Sequence, residues 1–530
     1  MTLEVRTEAL GGGAVARLAL SGGAPAEWYP PAPSTAEGWR ARARQVHAEF
    51  ADGADGEWLR ALEPALRAGG PAADRLARCA RDGGVVVTTG QQPGLFGGPI
   101  YTWSKALSAL TLADALQQAT GVATAPVFWA ATDDTDFAEA SWTRVAVPGG
   151  VETLQLSEPG VDGIPLSRVP LQPEISVLAE RLARGVGSAA YPHALDVARR
   201  AYQPGRTLGD AYVSLLRGVL EPLGIAVLDA SDPSVGMAAF PTLARALEQA
   251  SVIEAALAER RRALAAHGLS PQVPTVEGLS LVFASGGGGK QRVPVRRALA
   301  AARESHPGQL APNVLLRPVV ERRLLPTVAY TAGPGELAYF AQVSAVAAAL
   351  GLPAPLAVPR WSGTILEPHV MRLLRRYGIE PDELRSPHAV EGRLARAALP
   401  PVVIRAFEDA RQAADRLAAE LAGADASILV PLAAVDGARR GLLDRIRRLE
   451  RRYVAAAKRR ESQMVFDVAT ARGALFPGGV RQERALNFVP LLTRHGPALL
   501  DAMRQRAAEH AAALVGAGAS SGGAPLARAR

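Results

Sequence analysis

The stretch from Val85 to Thr132 limits the fold more than any other part of the chain. An apolar run, "VVV", stops at Thr88 and Thr89, and the loop "GQQPGLFGGP" follows with four glycines and two prolines. Next comes "IYTWSKALSALTLADALQQ", spaced for a helix, and then "TAPVFWAAT", which reads as a second buried strand. Strand, helix and strand in that order form a βαβ unit, because parallel neighbours need a crossover of a dozen residues or more. The pattern predicts strands over Val85–Thr89 and Thr124–Thr132, with a helix from Pro99 to Gln118. Pro99 suits a first helical turn, where its missing N–H costs nothing. Trp103, Leu107 and Leu110 share one face of that helix, and Tyr101 and Lys105 point half a turn away.

Similar alternation continues downstream. "DAYVSLLRGVLEPLG" is an amphipathic helix before the strand-like "IAVLDA", and "ELAYFAQVSAVAAALG" is a helix before "PLAVP". Helical stretches such as "AALAERRRALAAHG" lie between them as insertions, and the class is α/β. Beyond residue 390 the period changes. Phe407, Ala410, Ala414, Leu417 and Leu421 step by three and four, as do Leu442, Ile446, Leu449, Tyr453 and Ala456. Two such seams on either side of "AGADAS" predict an antiparallel coiled-coil hairpin that packs on a partner subunit or on the core. The closing "GAGASSGGAPLARAR" has the composition of disorder.

Composition excludes several classes. At 530 residues the chain exceeds one ordinary core. No run of about eighteen apolar residues is present to span a bilayer. The start carries acids where a signal peptide needs a basic region, so the reading is cytoplasmic with no membrane partner. The single cysteine, Cys79, rules out an intrachain disulfide and a cysteine zinc cluster. Its flanking arginines leave two readings, a packed thiol or a nucleophile, and the first is preferred. The net charge of +8 is concentrated in "RRGLLDRIRRLERRYVAAAKRR" and the tail, as on a solvated helix face, so nucleic acid is not the expected partner. Of 59 basic residues only Lys105, Lys290 and Lys458 are lysine, which draws notice to Lys105 beside the glycine loop.

Three segments can carry chemistry. The glycine loop can aim backbone N–H groups and a helix N-terminus at a phosphate or carboxylate, with Thr88, Thr89, Gly90, Gln91, Gln92, Gly97 and Gly98 as binding candidates. It matches neither GxxxxGK[ST] nor GxGxxG, and a long surface loop is the alternative. The second strand ends in "TDDTDFAEA", so Asp133, Asp134, Asp136 and Glu139 can hold a divalent cation, bind an amine or act as a base, or form an ordinary acidic turn. In "LAPNVLLRPVVERRLLPTVAYTAGPGELAYFAQ", Asn313, Arg317 and Glu321 are polar steps in an apolar setting. There Arg317 either forks an anion or pairs with Glu321. Glu336, Tyr339 and Gln342 follow on the first turns of the next helix. No HExxH or GxSxG motif occurs, and no metal ligand set is assigned.

Taken together, "VTTGQQPGLFGGPIYTWSKAL", "PVFWAATDDTDFAE", "APNVLLRP", "LLPTVAYTAGPGELAYFAQ", "AVPRWS" and "LFPGGVRQER" resemble the bacillithiol-biosynthesis cysteine-adding enzymes, the BshC family, in order over nearly the whole chain. The resemblance implies a Rossmann-type core with inserted connecting segments (1–389), a coiled-coil domain used in dimerisation (390–465), a C-terminal segment packing back on the core (466–516) and a disordered tail (517–530). It implies a ligase that adds cysteine through an amide bond to the amine of glucosaminyl malate, with ATP as expected co-substrate and magnesium as a candidate. Thr89, Gly90, Gln91, Gly97, Gly98, Tyr101, Lys105, Asp134, Asp136, Glu139, Asn313, Arg317, Glu336 and Gln342 match the family's positions. On this reading Asp134, Asp136, Lys105 and Arg317 serve catalysis and the others bind substrate. Two departures stand out, Thr135 in place of a histidine and Glu321 in place of a glutamine, and the first removes the obvious general base. Other readings are a nucleotidyl-transfer enzyme of the same broad fold and a non-enzymatic coiled-coil interaction module.

Overall fold

The computed structural model describes residues 2–50, 56–160, 163–286, 289–423 and 430–516. The expected disordered tail and most of the "AGADAS" connection lie outside the described residues. Two compact units are present, one of residues 3–145, 153–365 and 483–530, the other of residues 1–2, 146–152 and 366–482.

The larger unit is built on five parallel strands. They are β1 (Val85–Gln91), β2 (Thr124–Ala130), β3 (Ala226–Asp229), a strand at Thr327–Ala332 and another at Ala357–Pro359. A second, antiparallel sheet intervenes in the chain, with β4 (Leu279–Gly286) between β5 (Gly289–Pro294) and β6 (Leu310–Pro312). Strand Thr327–Ala332 is therefore β7 and Ala357–Pro359 is β8. The parallel order is β8-β7-β1-β2-β3. The chain runs outward from β1 in one direction through β2 and β3, then returns to lay β7 and β8 on the other side. That is the doubly wound Rossmann order, with its switch point between β1 and β7. The α/β class and the four strands read from the sequence hold. The antiparallel sheet falls where only helical insertions were expected.

Helix α1 (Ile100–Thr120) crosses from β1 to β2, with Pro99 in extended conformation at its N-cap. It is buried on almost every side: Ala109, Leu112, Ala113 and Leu116 meet Val85 and Val87 of the sheet, and Ala511 and Val515 from the C-terminal helix Val489–Val515 join the same cluster. A helix covered all round needs no amphipathic stripe, which is why "ALSALTLADAL" is apolar on more than one face.

The glycine loop between β1 and α1 is buried and braced from within. The Asn487 amide donates to the carbonyls of Leu95, Phe96 and Gly98. The Tyr202 hydroxyl donates to Gly94 O at 3.1 Å and faces Gly97 N at 3.2 Å. Gly97 N also reaches Gly94 O at 2.9 Å, and Gly98 N reaches Leu95 O. Gly97 has φ +87°, and a Cβ there would stand 2.7 Å from the Phe488 ring and 2.9 Å from Leu215.

The smaller unit contains the helices Pro401–Gly423 and Leu432–Arg460. Phe407 meets Tyr453 edge to face at 5.5 Å, Arg411 pairs with Glu450 at 2.8 Å, and Asp415 pairs with Arg439 at 2.7 Å, so the two run antiparallel as their seams predict. Leu417, Leu421, Leu442 and Leu449 of those seams remain exposed. Among the described residues no helix is long and apolar enough to cross a membrane.

Gly97→Val should cost roughly 4 kcal/mol, from left-handed backbone strain plus overpacking against Phe488 and Leu215. Chemical denaturation would show this as a lower midpoint with an unchanged slope.

Candidate active site

Open parallel sheets place ligands beyond their strand C-termini at the switch point, and polar side chains gather there in this protein. β1 and β7 are first tied together by threonines: Thr89 Oγ1 donates to Thr331 O at 2.9 Å, and Thr331 Oγ1 to Thr88 O at 3.4 Å. Just beyond, the Lys105 ammonium of α1 reaches across. It donates to Gly90 O at 2.7 Å and Gln91 Oε1 at 2.9 Å, and pairs with Glu336 at 2.7 Å. All three ammonium protons are thus engaged. Glu336 lies in the first turn of the helix Pro334–Ala349 after β7 and also accepts from the Tyr330 hydroxyl at 2.5 Å and Gly333 N at 2.7 Å. Burial opposes ionisation of Glu336, yet Lys105, Tyr330 and the Gly333 N–H hold its carboxyl below the usual range. Burial pulls the Lys105 ammonium down, and Glu336 counters it.

Arg317 stands over the same strand end. It opens the helix Arg317–Leu324, and Asn313 holds the turn before it by accepting from Leu315 N and Leu316 N. Arg317 Nη2 donates to the Tyr339 hydroxyl at 3.2 Å, and Nη1 lies 3.6 Å from Glu321. Gly90 makes room for this: a Cβ there would come within 3.2 Å of Arg317 Nη1 and 3.0 Å of Trp129 O. Of the two sequence readings for Arg317, the ion pair with Glu321 is present, though loose, and the guanidinium also lines a cavity.

The acidic turn after β2 faces that cavity from the other side. Asp134 accepts from Gln92 Nε2 at 2.8 Å and from Asp136 N at 2.9 Å. Asp133 holds Lys290 of β5 at 3.1 Å, and Lys290 also donates to the Asp133 carbonyl. The cavity measures ≈ 450 Å³ and is lined by Gly90, Gln91, Gln92, Lys105, Asp133, Asp134, Thr135, Lys290, Arg292, Asn313, Arg317, Glu336 and Tyr339, with Val273, Phe283, Pro312 and Val314 as an apolar wall. A neighbouring cavity of ≈ 630 Å³ shares Asp133, Lys290, Pro312 and Arg317, and reaches Ser231 and Asp232 after β3. Among the described residues no group of three or more His, Cys, Asp or Glu side chains converges as metal ligands would.

Several predicted residues lie elsewhere. Gly97 and Gly98 do not line the cavity, because their N–H groups are already bonded within the loop; the amide side of the site is Gly90 to Gln92 instead. Thr88 and Thr89 are buried within β1. Tyr101 accepts from Gln91 Nε2 at 3.2 Å and so orients the glutamine that meets Lys105. Asp136 caps the short helix Phe137–Ala140 by accepting from Glu139 N, and lines a different cavity with Thr135. Burial, then Asp136 and Asp134, raise the Glu139 carboxyl. Gln342 is buried and braces the backbone of Val273, accepting from its N–H at 3.0 Å and donating to its C=O at 2.8 Å. Cys79 is a packed thiol that burial pushes up to about 12. Lys290 was passed over, although it carries the same signal of scarcity as Lys105. Tyr330 and Phe283 gave no signal, since each reads as an ordinary strand residue.

A doubly wound sheet with a cavity lined by side chains of both charges at its switch point defines a Rossmann-like protein. Residues 27–361 match the family described as "Bacillithiol biosynthesis BshC, N-terminal Rossmann-like domain", and residues 363–513 match "Bacillithiol biosynthesis BshC, C-terminal coiled-coil domain". Curated relatives bear the name "Putative cysteine ligase BshC". One from Solibacter usitatus is 34% identical over 457 residues, covering 82% of this chain and 85% of that protein. Another, from Koribacter versatilis, is 32% identical over 80% of this chain and 82% of its own, and one from Thermus thermophilus is 32% identical over 78% and 84%. The chain belongs to the BshC family.

Lys105→Met should cost roughly 3–5 kcal/mol by leaving Glu336 charged and short of a partner in the interior. Adding Glu336→Gln should restore much of that stability, and thermal melts of the single and double variants measure the coupling.

Proposed function

We propose that the protein is a cysteine ligase that joins the carboxylate of cysteine to the amine of glucosaminyl malate, the last step in making bacillithiol. The observation that carries this reading is the pairing of opposite sites in one cavity. Arg317 faces it with guanidinium donors, while Asp133 and Asp134 face it with carboxylates. An anionic substrate group is drawn to the first side and an ammonium to the second. The names of the relatives agree with that chemistry.

Amide formation from a free carboxylate needs activation, and ATP supplies it by giving the carboxylate oxygen a leaving group. Lys290 and Arg168, with Ser231, line the neighbouring cavity and are the residues that would face its phosphates. In the main cavity, Arg317 orients the carboxylate and stabilises the charge that grows on its oxygen. Asp134 accepts the proton that the attacking ammonium must lose, while Gln92 and the Asp136 N–H keep its two oxygens in place. No histidine is required for this, which suits Thr135 at the centre of the turn. Lys105 has no free proton to offer, so its part is to fix Gly90, Gln91 and Glu336 around the cavity. A second copy of the chain is the proposed cover for the exposed seam leucines of the helical hairpin.

Deletion of the gene should leave glucosaminyl malate accumulated and bacillithiol absent, as read by mass spectrometry of cell extracts; unchanged thiol levels would contradict the proposal. In the purified protein, Asp134→Asn should lower kcat by about 100-fold or more with little change in melting temperature, since a cavity-facing carboxylate contributes little to packing.

A further inference from the structure

Behind Arg317 lies a carboxylate that the proposed chemistry does not use. Glu321 sits one turn along the same helix and is 1% exposed. Its Oε2 and Arg317 Nη1 face each other at 3.6 Å, and neither atom has a hydrogen-bond partner. A charged pair that close, with both facing atoms unbonded, is a loose contact rather than a locked fork. Tyr339 holds Nη2, and Nη1 lies where a side chain at Gly90 would begin, 3.2 Å from the position a Cβ would take.

We infer that Glu321 is a positioning residue that sets how much positive charge Arg317 presents to the cavity, so that a carboxylate ligand binds more tightly when Glu321 is protonated. The inference rests on Arg317 as the anion-binding side of the proposed site. The reason is electrostatic. Ionised Glu321 cancels part of the guanidinium charge from behind, and neutral Glu321 leaves it whole for the ligand in front. Burial raises the Glu321 carboxyl to about 7, with Arg317 working against the rise. Thr88 of β1, Glu336 of the helix after β7 and Lys105 of α1 also face it, and of these Glu336 pushes its titration upward while Thr88 and Lys105 push it down. Tyr330 and Tyr339 complete the surround. Its change of charge therefore falls near neutral pH, where Arg317 and the ordinary acids keep theirs. The coupling is reciprocal: a carboxylate bound at Arg317 must raise Glu321 further.

The probe is malate, a dicarboxylate whose charge is constant from about pH 6 to about pH 8.5, titrated calorimetrically into the full chain. Native protein should lose affinity on the order of tenfold across that range, while Glu321→Gln, of the same shape, should hold the pH 6 affinity throughout. Arg317→Gln should bind weakly at both ends. Identical pH profiles for native protein and Glu321→Gln would overturn the inference. So would weaker binding by Glu321→Gln at high pH, since that outcome means the carboxylate helps by holding Arg317 still. If the amide variant does not fold, Glu321→Asp takes its place, with a shallower pH dependence expected and an unchanged one contradicting. Turnover is measured separately. A pH-dependent malate affinity without amide product leaves the Glu321 assignment standing and removes the ligase reading alone.

Discussion

The switch point of this sheet is held by one buried ion pair. Lys105 reaches from the helix after β1 to Glu336 in the helix after β7, and between them they satisfy Gly90 O, Gln91, Tyr330 and the Gly333 N–H. Two parallel strands that diverge into separate crossovers have no backbone ladder beyond their ends. Something else must fix that gap, and a buried pair whose hydrogen bonds are all made can do so at a tolerable desolvation cost. Arg317 and the acidic turn depend on this frame. Arg317 occupies the space a side chain at Gly90 would need, Lys105 holds the Gly90 carbonyl, and Asp134 is oriented by Gln92, two residues further on.

Side chains of both charges line the cavity. Lys105, Arg317 and Lys290 each meet a carboxylate, at 2.7, 3.6 and 3.1 Å, and the loosest of the three belongs to Arg317, the guanidinium in front of the cavity. The glycine loop belongs with the frame: its polar backbone is spent on Asn487, Tyr202 and itself, so its glycines serve close packing rather than ligand approach.

Much of this was legible in the residues. β1, α1 and β2 were readable because a buried strand, a breaker-rich loop and a helical period follow one another within one βαβ unit. The resemblance drew Lys105, Asp134, Arg317 and Glu336 together from distant parts of the chain, and all four line one cavity. The glycine loop misled, since flexible backbone in sequence says nothing about whether its N–H groups are already taken. Gln342 misled for a similar reason: a buried amide bracing Val273 looks the same in sequence as an amide awaiting a ligand. The antiparallel sheet was missed because "LVFAS" and "KQRVPV" alternate too briefly to outweigh the helical stretches beside them.

A crystal structure with cysteine and glucosaminyl malate bound tests the central claim most directly, that one cavity at the switch point holds an anion against Arg317 and an amine against the Asp133–Asp134 turn. The account predicts the cysteine carboxylate within hydrogen-bonding distance of Arg317 and the sugar amine beside Asp134. Both ligands found at other surfaces, with water alone filling the space between Gly90 and Asp134, would contradict it.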